Sequence, residues 1–144
     1  MPDVQHGDTL RTELEEAADG LVYSSEGDMP FRFVEVDVPA GRNAGSAVEL
    51  AELVMGHELG DRIEERTLDR FFQRHIETSD PYDARAQAIR PRYESLKAIL
   101  TRSLSGTRVI RVIRAADRAV VHCFILGRDA RGRIVGLATS AIET

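Results

Sequence analysis

Several stretches of the chain carry apolar residues at the three-to-four-residue spacing of an amphipathic helix. The first of these helices is predicted to begin at Asp8 or Thr9 and to end at Gly20. Its apolar stripe consists of Leu10, Leu14, Ala17 and Leu21. The chain therefore opens with one helix that buries a single face.

Capping signals mark the next two helices. Ser46 and Glu49 form a capping-box pattern, which predicts a helix running to about Met55. Thr67 is the predicted N-cap of a short third helix that contains Phe71 and Phe72. The pattern of residues 61–66, between these helices, is ambiguous.

The longest predicted helix covers roughly residues 83–104 and is ended by Gly106. Its buried stripe is Ile89, Tyr93, Leu96, Ile99 and Leu100. Pro91 lacks the N–H that a helix interior needs. Either the helix bends at Pro91, or this proline lies in its first turn.

Strand-like patterns occupy the remaining parts of the chain. Residues 31–38 alternate, and the C-terminal part predicts three strands at about 107–114, 119–127 and 133–142, joined by short turns. Residues 23–30 are predicted to form a polar loop. This order of elements indicates an α+β domain, and we expect a three-layer α/β/α sandwich around a mainly antiparallel central sheet.

Composition narrows the class of protein. The chain has 144 residues, of which 42% are hydrophobic and 30% charged, as expected for one globular domain over residues 1–144. Residues 1–7 are a candidate disordered segment. The sequence shows no membrane span and no export signal, so the expected location is cytoplasmic. Cys123 is the single cysteine, which excludes an internal disulfide.

The net charge of −5 is unevenly distributed along the chain. Residues 1–60 contain 13 acidic and 3 basic side chains, a balance of −10, whereas residues 61–144 contain 11 acidic and 16 basic ones, a balance of +5. An acidic surface can steer a basic protein partner into contact. An uneven but merely solvated surface is the simpler explanation of the same pattern.

The sequence offers little support for catalysis or for a bound cofactor. His57 and Glu58 resemble the start of a zinc-protease helix, but no second histidine follows at the required spacing. A hydrolase using Ser24 or Ser25 is a distant alternative, because no nucleophile-elbow pattern surrounds them. We therefore expect neither an enzyme nor a cofactor.

Direct binding of nucleic acid is also disfavoured. Arg108, Arg111 and Arg114 are three residues apart on a predicted strand, so they alternate between its faces. Aromatic residues make up only 6% of the chain and are not interleaved with these arginines. We interpret the arginines mainly as sheet-edge and surface charges.

Two segments of the chain resemble the nuclease A inhibitor family. The first runs from Gly20 to Phe31 and has the sequence GLVYSSEGDMPF, which is similar to that family's helix end, Ser-Glu loop and Pro-Phe strand start. The second is the C-terminus, where Gly132 and Gly136 lead to the ending Ile-Glu-Thr at 142–144. With the Phe-Phe helix and the long helix in the expected order, the resemblance covers about residues 8–144.

This resemblance implies inhibition of a magnesium-dependent, sugar-non-specific nuclease that cuts DNA and RNA. The family's loop glutamate, which meets an arginine of the nuclease, falls on Glu26. Its terminal threonine, which reaches the nuclease's catalytic magnesium, falls on Thr144. A third contact of the family is a glutamine on the loop after the Phe-Phe helix, and the matching place here is near Ser79.

The chemistry of these residues agrees with such roles. A terminal carboxylate at Thr144 is an anion at neutral pH, and magnesium prefers hard oxygen ligands. Glu26 can form a bidentate pair with an arginine. We also assign Ser25, Asp28 and Glu143 as candidate partner-binding residues. The expected partner is a non-specific endonuclease, bound by an inhibitor that is monomeric when free. A regulatory module with a non-nuclease protein partner is the alternative.

Overall fold

The computed structural model describes residues 2–24, 27–56, 62–77, 80–114 and 119–143. Within these ranges the chain forms four helices and seven strands. The helices are α1 (Pro2–Ala18), α2 (Ala47–Met55), α3 (Leu68–Ile76) and α4 (Ala84–Ser103). The strands are β1 (Val22–Ser24), β2 (Asp28–Pro30), β3 (Arg32–Val36), β4 (Arg62–Arg66), β5 (Ser105–Ile113), β6 (Val120–Arg128) and β7 (Ile134–Ile142).

Five strands form one sheet in the order β3-β7-β6-β5-β4, and every neighbouring pair is antiparallel. The short strands β1 and β2 pair with each other as a separate hairpin. The predicted α+β class and the antiparallel C-terminal meander are thus confirmed. No described helix is both long and apolar enough to cross a membrane.

The helix starts follow the local capping chemistry. At α2 the Glu49 backbone N–H donates to Ser46 Oγ over 3.1 Å, and the Ser46 N–H donates to Glu49 Oε1 over 3.0 Å. At α3 the hydroxyl of Thr67 accepts from the Arg70 backbone N–H. Asp83 caps α4 in the same way. The predicted starts of these three helices are confirmed.

Several predicted boundaries were wrong. Helix α1 begins at Pro2 and not at Asp8 or Thr9, since a proline in the first helical turn has no N–H to leave unpaired. Pro91 lies inside α4, about two turns after its start, so its placement in the first turn is excluded. The polar loop predicted at 23–30 contains β1 and β2, and the ambiguous residues 62–66 form β4.

Buried residues form two hydrophobic clusters, and alternate residues of the long strands belong to different clusters. Helices α1, α3 and α4 contribute to the first cluster, and α2 contributes to the second. On β6, for example, Cys123 and Ile125 belong to the first cluster, whereas Phe124 and Leu126 belong to the second. The central strands are therefore apolar on both sides, as the sequence pattern indicates.

One glycine permits the close pairing of β6 and β7. Gly136 pairs with Leu126, and a Cβ added at Gly136 would lie 1.7 Å from the carbonyl oxygen of Ile125. No side chain fits there without moving the strands apart. This close pairing fixes β7, which leads to Glu143, in the sheet.

Candidate partner-binding site

Asp28, one of the acidic residues predicted to bind a partner, begins the second strand of the β1–β2 hairpin. Tyr23 pairs with Met29, and Ser24 pairs with Asp28 at the last rung of this ladder. The hairpin is the feature that sequence analysis missed, because each of its strands has only three residues.

Helices α3 and α4 hold the first strand of the hairpin through its backbone. Arg74 Nη1 donates to the carbonyl oxygen of Ser24 over 2.5 Å, and the Ser24 N–H donates to His75 Nε2 over 3.4 Å. The hydroxyl of Tyr93, on α4, donates to the Val22 carbonyl oxygen over 2.6 Å. Both backbone groups of Ser24 thus have side-chain partners next to the loop.

His75 acts in this arrangement as a neutral hydrogen-bond acceptor. Its ring stacks on Tyr93 with 4.3 Å between centroids and meets Tyr23 edge-on at 5.4 Å. Burial, together with the nearby charge of Arg74, lowers the pKa of His75 to about 4. At neutral pH its Nε2 therefore has a lone pair available for the Ser24 N–H.

The second strand of the hairpin is attached to β7. Thr139 Oγ1 lies 3.1 Å from the Met29 carbonyl oxygen and 2.9 Å from that of Pro30. A Cβ added at Gly27 would lie only 2.9 Å from Ile142 Cγ1. The hairpin tip therefore packs directly against the last residue of β7, which is distant in sequence.

Glu143 is held by β5 and by the residue before β6. The Glu143 backbone N–H donates to the Ala119 carbonyl oxygen over 2.8 Å. Arg111 Nη2 lies 2.6 Å from both carboxylate oxygens of Glu143. Arg111 Nε is 3.7 Å from Glu64 Oε1 on β4. Glu143 is thus fixed through both its backbone and its side chain.

Arg111 is the central charge of this group. Its side chain is only 16% exposed, and that of Glu64 is 15% exposed. Burial by itself would lower the pKa of Arg111, but the hydrogen bond and charge of Glu143 outweigh burial and raise this pKa. Arg111 therefore remains a cation that holds Glu143 at the end of β7.

A single row of paired residues across the sheet connects Glu64 and Arg111 to the hairpin. Glu64 pairs with Arg111, Arg111 pairs with Cys123, and Cys123 pairs with Thr139. Thr139 in turn bonds to the hairpin backbone at Met29. Burial raises the pKa of the Cys123 thiol to about 12, so this cysteine is a packing residue and not a nucleophile.

A cleft of about 350 Å³ opens beside Glu143. We call it the arginine cleft, since its lining includes Tyr23, Arg66, Arg70, Arg74, Arg111 and Glu143. Sequence analysis did not identify these arginines as a group, because they come from two strands and one helix. The alternation predicted for Arg108 and Arg111 on β5 agrees with the structure. Arg111 lines the cleft, whereas Arg108 bonds to Glu65 and to the Gly45 carbonyl oxygen.

Two of the predicted partner-binding residues are described by the structure. Asp28 is exposed at the end of the hairpin, and Glu143 is the residue held by Arg111. The other predicted residues, Ser25, Glu26, Ser79 and Thr144, lie outside the described residues. Gly27 and Glu143, which adjoin Glu26 and Thr144 in sequence, both lie next to Ile142, the last residue of β7.

Metal-ligating side chains do not cluster in this region. Across the described parts of the chain, no three His, Cys, Asp or Glu side chains are arranged to hold a metal ion. Of the described acidic residues at this end of the sheet, Asp28 is exposed and Glu143 is paired with Arg111.

Comparison with known proteins identifies the family. The family model described as nuclease A inhibitor-like protein matches residues 8–144, which is nearly the whole chain. No curated protein matches the sequence. The matched region includes the hairpin, the sheet and the C-terminal strand that form the site. The chain therefore belongs to the nuclease A inhibitor-like protein family.

Proposed function

We propose that this protein inhibits a magnesium-dependent, sugar-non-specific nuclease by blocking its active site with the hairpin loop and the C-terminal residue. Membership of an inhibitor family supports a non-catalytic protein that binds a nuclease. The observation that carries the mechanism is the packing of Gly27 against Ile142. Through this contact, the loop that contains Glu26 and the strand that leads to Thr144 share one end of the molecule.

In this proposal Thr144 is the final residue and approaches the nuclease's magnesium. An α-carboxylate has a pKa of about 3.3–3.7 and is therefore ionised at neutral pH. Carboxylate and hydroxyl oxygens are the hard ligands that magnesium prefers. They would replace a substrate phosphate and a water in the metal's coordination shell. The anchoring of Glu143 by Arg111 supports this role, because it limits the movement of the preceding residue.

Glu26 forms the second contact, with an arginine of the nuclease. A bidentate carboxylate–guanidinium pair is strong when water is excluded from it. Ser25, Asp28 and Glu143 surround the two contacts, and Ser79 is the candidate for a third. The bonds of Arg74 and His75 to Ser24 support the proposal, because they fix the residue that leads to Ser25 and Glu26 in the sequence.

The proposal also includes the layered shape of the domain and the acidic charge of its first 60 residues. We infer one domain in which α1, α3 and α4 cover one face of the sheet and α2 covers the other, as a three-layer α/β/α sandwich. The two separate hydrophobic clusters support this arrangement. The balance of −10 over residues 1–60 would favour approach to a basic nuclease. In this proposal the free inhibitor is a monomer and does not itself bind nucleic acid.

A plasmid-digestion assay tests the proposed function. The purified protein is titrated against magnesium-dependent non-specific nucleases from the same source, with the nuclease concentration kept constant. We expect digestion to stop at close to one inhibitor per nuclease. Full digestion at a large excess of the protein, for every such nuclease, would show that this function is wrong. Recovery of a different protein in an unbiased pull-down would favour the regulatory-module alternative.

A further inference from the structure

The arginine cleft has an unusual charge for an acidic protein. Among the described residues, its lining contains four arginines, Arg66, Arg70, Arg74 and Arg111, and one acid, Glu143, which gives these residues a balance of +3. The whole chain carries −5. The four guanidinium groups belong to β4, α3 and β5, so the fold concentrates positive charge that is dispersed in the sequence.

Most of these arginines are already held in place. Arg66 donates to the Glu65 carbonyl and to Glu64, and Arg111 donates to Glu143. Each guanidinium has five N–H donors, and the bonds described for Arg66 and Arg111 use only part of this capacity. Their bonds to Glu64 and Glu143 fix the position of these two side chains in the cleft wall.

Arg70 differs from the other arginines of the cleft in its contacts. It is exposed, and no hydrogen bond or ion pair joins its guanidinium to another residue in the part of the chain that the structure describes. A cation without a counter-ion at the mouth of a positively charged cleft favours the binding of an external anion.

We propose that the arginine cleft binds a phosphate monoester. A carboxylate offers one charge and two oxygens, whereas a phosphate dianion carries two charges and accepts hydrogen bonds on three oxygens, which suits several guanidinium groups at once. A dianion would offset most of the +3 charge of the lining. The volume of about 350 Å³ leaves room for an organic group beside the phosphate.

Glu143 is the internal competitor of this ligand. Its carboxylate occupies Arg111 Nη2, which faces the same cleft. Removing the carboxylate charge therefore frees a guanidinium for phosphate. Tighter binding after loss of the Glu143 charge would indicate a specific site at Arg111. A general attraction to surface arginines does not depend on this one pair. The proposal is independent of nuclease inhibition because it concerns ligand binding by the free protein.

Titrations of the full chain at pH 8 and constant ionic strength test the site. The probes are inorganic phosphate, adenosine 5′-monophosphate and adenosine. Their binding is measured by calorimetry and by changes in amide chemical shifts. We expect saturable binding of the phosphates with shifts confined to the cleft, and none with adenosine. Tighter binding of the monophosphate indicates an organic phosphate, and equal binding indicates that the phosphate group alone is recognised.

Matched variants decide whether the cleft is the site. Arg70→Gln is expected to weaken phosphate binding about tenfold, whereas Arg42→Gln, at an exposed arginine outside the cleft, leaves it unchanged. Glu143→Gln is expected to tighten binding several-fold. Circular dichroism checks that each variant is folded. Equal affinities for Arg70→Gln and the unsubstituted protein, linear shifts without saturation, or equal binding of adenosine and its monophosphate would overturn the proposal.

Discussion

Gly27 and Ile142 are in contact although they lie near opposite ends of the sequence, and a Cβ at Gly27 would approach Ile142 Cγ1 to 2.9 Å. This contact joins the hairpin tip to the end of β7. In the proposed inhibitor, the loop and the chain end must reach the nuclease together. The spacing between these two binding elements is therefore set by a contact that has no room for a side chain.

Gly27→Ala tests this spacing. The added methyl group must displace Ile142 or the hairpin tip, so we expect inhibition to weaken about tenfold or more, by analogy with small displacements at other binding sites. Inhibition constants from plasmid digestion provide the measurement. Gly45→Ala is the matched control, because a Cβ there meets nothing within 4 Å. Equal inhibition by both variants would contradict the importance of the contact.

Glu26→Gln tests the proposed contact with the nuclease's arginine. Loss of the charge leaves the partner's guanidinium buried without a counter-ion, so we expect a loss of about 2–4 kcal/mol in binding. Calorimetry or surface binding to the target nuclease measures the change. Glu16→Gln makes the same change of charge on the exposed side of α1 and is expected to have little effect. Similar losses in both variants would indicate only long-range steering.

Thr144 is tested by moving the terminal carboxylate. A C-terminal tag displaces it outward, and deletion of Thr144 removes the hydroxyl and shifts the carboxylate back by one residue. We expect both changes to weaken inhibition strongly, because neither places the oxygens at the nuclease's magnesium. An N-terminal tag is the control. Unchanged inhibition with either C-terminal change would exclude the proposed metal contact.

Arg111→Met tests the anchoring of Glu143. The substitution keeps much of the apolar stem but removes the charge that both carboxylate oxygens accept from. Since the carboxylate is 47% exposed, we expect a modest loss of about 1–2 kcal/mol in unfolding free energy. Urea denaturation measures this loss. Arg111→Lys is expected to recover part of the stability and part of the inhibition, whereas a purely packing role would make both variants alike.

His75 gives the hairpin a pH-dependent attachment. Its folded pKa of about 4 lies below the ordinary value of 6.5, so the unfolded chain binds the proton first. The contribution of His75 to stability is therefore complete above about pH 6.5 and is lost as the pH falls toward 4.

Unfolding free energies between pH 4 and pH 7 test this attachment. His75→Gln retains a hydrogen-bond acceptor but does not titrate, so its stability should fall less over this range. The difference between the two pH profiles isolates His75 from the carboxylates, which titrate in both proteins. Parallel profiles would show that His75 is not a neutral acceptor in the folded protein.

Local sequence determined the elements whose signals lie within a few neighbouring residues. The capping box at Ser46 and Glu49, the Thr67 cap and the long alternating strands were predicted correctly, because their hydrogen bonds and periodicity are local. Three-residue strands carry no detectable period, so the β1–β2 hairpin was not predicted. The β4 pattern was obscured by charged residues that form ion pairs with each other and with β5.

The site itself was only partly determined by the sequence. The motif around residue 26 and the chain ending are the basis of the proposed nuclease contacts, and the family match agrees with the inhibitor assignment. Only the tertiary structure decided that Gly27 meets Ile142, that Arg111 holds Glu143, and that four arginines line one cleft. These relationships depend on strand order and register, which bring together residues from distant parts of the chain, and no local pattern encodes them.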